Sequence, residues 1–273
     1  VEALRAIDEW DAGGAAACVV RADGVADVHG PRDREYGWAS VTKLLTGLAV
    51  LVAVEEGIVD LDEPAGPPGS TLRHLLSHAS GLPPDGDGPP LMAPAKRRIY
   101  SNAGIERAAA FVAERAEMSF AEYAAHAVAA PLGLSGSLAG SPAWGFRGTL
   151  DDLLRLGREL LAPSVVAPET LAEATRVQFP GLIGVLPSWG RMEPNDWGLS
   201  FELRDGKSPH WTGTLTSPRT FGHFGAFGTF LWVDPDAGLA CGVLTDRRFG
   251  DWAKEAWPAL GDAVVREAAS SAK

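Results

Sequence analysis

The sequence predicts an α+β fold: an antiparallel sheet of about five strands, flanked by N- and C-terminal helices, with a mostly helical block inserted between its two halves. Three observations carry this. Two short β-type runs joined by Ala22-Asp23-Gly24 lie near the N-terminus. Apolar and Ala-rich helical segments fill the middle. After about Gly181 the chain turns to Trp, Thr, Phe and Gly punctuated by turns. Strands at both ends of a chain must share a sheet to bury their apolar faces, so the helices between them are an insertion. One domain is expected, its sheet part spanning about 1–38 plus 181–273 and its helical part about 39–180.

The elements follow in order. Val1 to Trp10 reads as a helix ended by Gly13-Gly14. Ala15 to Arg21 and Gly24 to His29 read as a hairpin, because Asp-Gly between apolar runs favours a tight turn. Val41 to Glu56 is apolar on most faces, so this helix should be buried rather than amphipathic. A short helix, Thr71 to Ser77, starts near Ser70. Ser101 to Glu117 and Ser119 to Ala130 are Ala-rich helices, the second opened by Ser119 and Glu122 in a capping-box pattern. Asp151 to Leu161 is another helix. Trp197 to Leu203, Thr220 to His223, Gly228 to Val233 and Leu239 to Leu244 read as strands, the last two joined by a turn at Asp234 to Gly238. Trp252 to Ala268 closes the chain as a helix.

Composition excludes several functions. The chain has 273 residues, 46% hydrophobic, and a net charge of −11 from 24 basic and 35 acidic residues. A nucleic-acid binder needs a basic footprint, which this balance opposes. The longest apolar stretch, Leu44 to Val54, holds about eleven residues where a bilayer takes about twenty, so no membrane span is expected. The opening Val1-Glu2-Ala3-Leu4-Arg5 lacks the pattern of a signal peptide. Cys18 and Cys241 both sit in strand-like runs and are expected as free, buried thiols. There is no G-x-S-x-G, no G-x-x-x-x-G-K, no G-x-G-x-x-G and no H-E-x-x-H. His74 and His78 imitate a metal pair at i and i+4, but no acidic third ligand has the right spacing; no metal and no cofactor are expected.

Three short motifs remain. Ser40-Val41-Thr42-Lys43 is an S-x-x-K at the start of the buried helix. Three residues apart on a helix, Ser40 and Lys43 share a face, and the helix N-terminus favours an alkoxide-like oxygen. A buried lysine has a depressed pKa and can accept the serine proton. The same residues alone also fit an N-cap serine and a surface lysine. A second S-x-x-K, Ser270 to Lys273, lies at the C-terminal end and is a chance match. Tyr100-Ser101-Asn102 opens a helix after a loop. A tyrosine near a lysine can shuttle protons as a phenolate, and an Asn can hold a lysine or a substrate carbonyl. By itself the segment equally reads as a cap with a packed tyrosine. His223-Phe224-Gly225 ends a strand, where glycine lets a substrate lie along an edge and a histidine can supply a positive or proton-donating group. His210-Trp211-Thr212-Gly213 imitates this third motif without the strand.

In this order, S-x-x-K, Y-S-N and H-x-G, the chain resembles the serine β-lactamase and penicillin-binding-protein-like superfamily, in the branch of class C β-lactamases, D,D-peptidases and family VIII carboxylesterases. Similar stretches run through nearly the whole chain: Trp38 to Lys43, Glu55 to Asp62, Leu72 to Leu82, Pro131 to Leu134, Trp197 to Phe201, and Gly222 to Gly225 leading to Leu231 to Pro235. The resemblance implies an acyl-enzyme on Ser40, with Lys43 and Tyr100 as a coupled proton-transfer pair. It implies that Asn102 orients Lys43 or the substrate, that His223 stands where many relatives carry a lysine, that Gly225 borders the substrate, and that the N–H groups of Ser40 and Ala226 form an oxyanion hole.

Two departures bear on substrate. Only the short segment 84–99 separates Pro83 from Tyr100, where relatives commonly spend more chain on a lid. Phe224 stands where a small hydroxylated residue is usual, and phenylalanine cannot hold a substrate carboxylate. Both favour a small-molecule or peptide-like ester or amide over a β-lactam. The alternatives are a β-lactamase or D-Ala-D-Ala carboxypeptidase, and a non-catalytic ligand-binding relative. A monomer is expected.

Overall fold

The computed structural model describes residues 1–271. Its main sheet is antiparallel throughout and has six strands, one for each strand-like run in the sequence. In chain order these are β1 (Ala15–Arg21), β2 (Ala26–His29), β3 (Glu202–Leu203), β4 (Phe221–Gly225), β5 (Thr229–Asp234) and β6 (Leu239–Thr245). They lie side by side as β2-β1-β6-β5-β4-β3, so the N-terminal hairpin joins the C-terminal strands through the β1–β6 pair.

β3 is the shrunken remnant of the expected run Trp197 to Leu203. Ser200 sits at φ +69° and Gly198 N–H bonds back to Phe201 O, so Trp197–Ser200 turns and only Glu202 and Leu203 reach the ladder. They pair with Gly222 and Phe221. No strand among the described residues covers the β4 edge from His223 to Gly225 on that side, which leaves this edge open toward a cleft.

The α-helices of five residues or more are α1 (Thr42–Glu55), α2 (Leu72–Leu76), α3 (Asn102–Ala116), α4 (Phe120–Ala124), α5 (Leu150–Leu161), α6 (Pro168–Ala174) and α7 (Asp251–Ser271). Every residue from Thr42 to Ala53 is buried, as the absence of a polar face in α1 requires. The expected capping box forms at Ser119 and Glu122, although the helix it opens passes into a π turn at Ala125–Ala129. Two starts differ from expectation. The N-terminal helix is a 3-10 helix, Glu2–Glu9. The cap of α2 is Thr71 rather than Ser70, in a box closed by the His74 ring.

Each face of the sheet has its own core. α1 and α5 cover one face, together with residues such as Cys18, Leu153 and Leu231. The N-terminal 3-10 helix and α7 cover the other, around Trp211, Trp232, Trp257 and Cys241. Side-chain alternation separates the two cysteines: Val19 faces Cys241 in register, and Cys18 points to the opposite side. Both thiols are free, and burial pushes Cys18 up to about 12. α5 approaches closely because residue 242 is glycine; a Cβ there would meet Leu153 Cδ2 at 2.6 Å.

The second S-x-x-K match ends at Lys273, outside the described residues.

Candidate active site

Ser40 lies on a single 3-10 turn, Ala39–Val41, that runs directly into α1. The turn is held hard from two sides. Trp38 N–H bonds to Phe146 O at 2.9 Å, and the Thr229 hydroxyl of β5 donates to Trp38 O at 2.9 Å. Ala39 adopts φ +47°, a left-handed conformation that costs a non-glycine residue about 1 kcal/mol or more and persists only where the surroundings impose it. Gly225 is part of that surrounding. A Cβ on it would stand 2.7 Å from Trp38 O and 2.8 Å from Ala39 Cβ, so β4 passes the serine turn in direct contact. Gly225 is thus required first by this close approach.

Lys43, the second residue of α1, is fully buried. Its Nζ lies 3.2 Å from Ser40 Oγ, 2.6 Å from Asn102 Oδ1 and 2.9 Å from Ala143 O. The last two are carbonyl oxygens, which only accept, so they bind two N–H bonds of the amine. The third direction faces Ser40. Burial lowers Lys43 to about 7, with Asp85 and Glu106 opposing the shift. A neutral amine in this setting points its lone pair at the serine hydroxyl.

Tyr100 reaches the same oxygen from the other side, its hydroxyl donating to Ser40 Oγ at 2.8 Å. Its ring is boxed by His78, Trp197 and His223, with centroids 4.7, 5.7 and 5.8 Å away. Burial in that box pushes the phenol well above its ordinary value. The phenolate expected from sequence is therefore disfavoured, and Tyr100 rests as a hydrogen-bond donor. The intervening Ser101 explains the Y-S-N spacing. Its side chain caps α3 by accepting from Gly104 N–H at 2.9 Å, and its N–H donates to His78 Nδ1 at 3.1 Å. Tyr100 and Asn102 are thereby fixed on either side of a helix cap.

His223 is displaced from expectation in its chemistry. Its Nδ1 lies 2.8 Å from Phe224 O, an acceptor, so Nδ1 carries the proton. Burial and the nearby Lys43 hold the ring's pKa down at about 3, and Nε2 is buried without a partner. The histidine is a neutral acceptor, not a cation or a proton donor. The Phe224 ring borders the cleft, 6.0 Å from the His223 ring, and packs into the aromatic core against Trp211, Phe249 and Trp257. That packing accounts for its size. Among the described residues, no acceptor is found for the N–H of Ser40 or of Ala226, which leaves both available to an oxyanion.

These groups line one cleft of about 380 Å³ with Pro187, Ser188, Trp197, Arg248 and Phe249. The sequence reading did not place this second set. Asp85 was also missed: it accepts from Asn102 Nδ2 at 2.9 Å and so fixes which end of the amide faces Lys43. Ala143 acts through a backbone carbonyl, which leaves no mark on sequence. His74 and His78 point to separate tasks, His74 bonding to Thr71 and His78 to the backbone of Ser101. His210 is sequestered with Lys207 and Trp211 around the buried Glu202 carboxylate, which those charges hold down at about 2 despite burial.

A six-stranded antiparallel sheet with a helical insertion, and a serine, lysine and tyrosine meeting at one oxygen, define the serine β-lactamase and penicillin-binding-protein-like fold. Comparison with known proteins narrows this. The Beta-lactamase family model matches residues 5–265, and the chain belongs to that family. It is similar to the solved structure of a β-lactamase, Mb2281c from Mycobacterium bovis, with 51% identity and a TM-score of 0.95 over 97% of this chain and 99% of that one. The fold is shared at 18% identity with simvastatin synthase from Aspergillus terreus, with a TM-score of 0.78 over 98% and 96% of the two chains. It is shared equally at 18% identity with EstCE1, a hydrolase with promiscuous acyltransferase activity, with a TM-score of 0.76 over 96% of each chain. No curated protein matches. The chain is a serine hydrolase of the β-lactamase family. Among the described residues no helix is long and apolar enough to cross a membrane.

Proposed function

We propose that the protein hydrolyses uncharged esters through an acyl-enzyme on Ser40. The observation that carries this reading is the placement of Ser40 Oγ between the Lys43 amine at 3.2 Å and the Tyr100 hydroxyl at 2.8 Å. Lys43 removes the serine proton as Oγ bonds to the ester carbonyl carbon, and the carbonyl oxygen becomes an oxyanion held by the N–H groups of Ser40 and Ala226. The carbon–oxygen bond to the alcohol then breaks. The departing oxygen takes the Tyr100 proton, and Tyr100 is reprotonated from Lys43. Water attacks the acyl-enzyme with the same groups running in reverse, which releases the carboxylic acid and restores Ser40.

The neutral His223 supports an ester over a charged substrate, since its free Nε2 lone pair repels a carboxylate. The test is adduct mass on the Ser40 peptide after treatment with a fluorophosphonate, alongside turnover of a short-chain p-nitrophenyl ester. No adduct and no turnover overturn the proposal; Ser40→Ala is the blank.

One observation favours a second reading, hydrolysis of a β-lactam. Arg248 lines the cleft, rests 5.5 Å from the centre of the Phe227 ring, and has no carboxylate partner among the described residues. The Mycobacterium bovis relative is described as a β-lactamase. Nitrocefin turnover that exceeds ester turnover, and that falls in Arg248→Ala, selects this reading.

A further inference from the structure

Beside the catalytic cleft lies a second cavity of about 430 Å³, with Tyr100 and Pro187 forming part of both walls. Pro84, Leu91, Met92, Ile99 and Val185 supply most of the rest. Most of its lining is apolar. Exposed Arg97 adds one cation at the rim, and Arg98 borders it with its guanidinium spent on the carbonyls of Ser77, Gln178, Phe179 and Asn195 at 2.6 to 3.1 Å.

Two elements distant in sequence make the walls, and both are held in place. The loop between α2 and α3 is tied by Leu91 N–H to Gly81 O at 2.8 Å, Ala95 N–H to Ala79 O at 2.8 Å and Ile99 N–H to His78 O at 3.0 Å. The facing hairpin, Gly184–Leu186 paired with Gly190–Met192, is joined to that loop where Arg98 N–H meets Ile183 O at 3.0 Å. Leu91 is 61% exposed and Val185 49%. Large apolar side chains left in water at the two lips of a groove are covered when something apolar lies between them. The groove shares Tyr100 and Pro187 with the cleft that holds Ser40, so what covers these lips lies next to the reacting atoms.

We propose that the substrate carries an extended apolar arm, of about four to eight carbons, that lies in this groove while its ester group is at Ser40. This rests on the ester-hydrolase reading above and adds the substrate class to it: a medium-chain ester. The arm belongs either to the acyl part or to the alcohol part, and the two share the same chemistry.

The experiment uses two series of probes on the full chain: p-nitrophenyl esters from acetate to octanoate, and acetate esters of alcohols from ethanol to octanol. In one series kcat/KM should climb by about fourfold per methylene, the factor that full burial of a CH₂ supplies, until the groove is filled. The series that climbs tells which part of the ester occupies the groove. Leu91→Asp and Val185→Asp, both at exposed positions, should each lower the long-to-short ratio of that series at least tenfold. A flat dependence in both series overturns the groove, and so does a climb that neither variant alters. Fluorophosphonate labelling of Ser40 is run in parallel: labelling with a flat dependence overturns the groove alone, and no labelling overturns the hydrolase reading and the groove with it.

Discussion

The Lys43 amine lies 2.6 Å from the side-chain oxygen of Asn102, and this contact decides where the lysine lone pair looks. Asn102 could present either end of its amide, but its Nδ2 is committed to Asp85 at 2.9 Å. A carboxylate in a surface loop therefore orients an amide, which in turn aims an amine at a serine.

Because burial lowers Lys43 from 10.5 to about 7, kcat/KM for an uncharged ester should rise with pH through about 7 and level off above it. The folded pKa lies below the unfolded one. The unfolded chain then holds the extra proton between these values, and stability from this group increases as pH climbs from about 7 toward 10.5. Single-turnover acylation rates across the range check the first statement. A rate with no inflection between about pH 6 and pH 8 contradicts it.

Tyr100→Phe keeps the ring against His78, Trp197 and His223 and deletes only the hydroxyl that donates to Ser40. We expect kcat to fall about 10²- to 10⁴-fold with little change in melting temperature. Steady-state kinetics and thermal denaturation of the same preparation measure both. Near-normal turnover removes Tyr100 from the reaction.

Gly225→Ala places a methyl group 2.7 Å from Trp38 O and 2.8 Å from Ala39 Cβ. The serine turn must shift, at a cost of about 1–3 kcal/mol. Urea denaturation and fluorophosphonate labelling should both respond, whereas Ala226→Gly, beside it in the turn, should leave stability nearly unchanged.

Arg98→Met strips donors from four backbone carbonyls in a buried junction two residues before Tyr100. A loss of about 3 kcal/mol or more is expected from the unsatisfied groups, read as a lower denaturation midpoint. Arg98→Lys should recover only part of it, because an ammonium cannot span the same fork of acceptors.

His223→Lys exchanges a neutral acceptor for a group that can carry charge at the open edge of β4. The ratio of nitrocefin turnover to ester turnover should rise. An unchanged ratio means that position 223 does not select substrate charge.

The residues that meet at Ser40 were legible because each sits at or beside an end of an element with a strong local signal. Ser40 precedes a long apolar run, Ser101 is a helix cap between Tyr100 and Asn102, and Gly225 ends a strand. Chemical state was less legible. The tautomer of His223 depends on the carbonyl of its own neighbour, and the Tyr100 pKa depends on three rings from distant segments. Trp197 read as strand and became part of a turn, because Ser200, three residues on, takes a left-handed φ of +69° that bends the segment. Asp85, Arg248 and the apolar groove belong to loops, where neither periodicity nor capping marks a residue's neighbours.

The hydrogen bonds to Ser40 join positions 40, 43 and 100, and β4 brings position 223 beside them from far along the chain. Such a constellation exists only when contacts of large sequence separation have all formed, which places it late in folding rather than early. Covalent capture of Ser40 by a fluorophosphonate thus counts native molecules one by one. In a denaturant series, or in a library of variants, the labelled fraction reads the population that has completed its fold, without reference to any substrate.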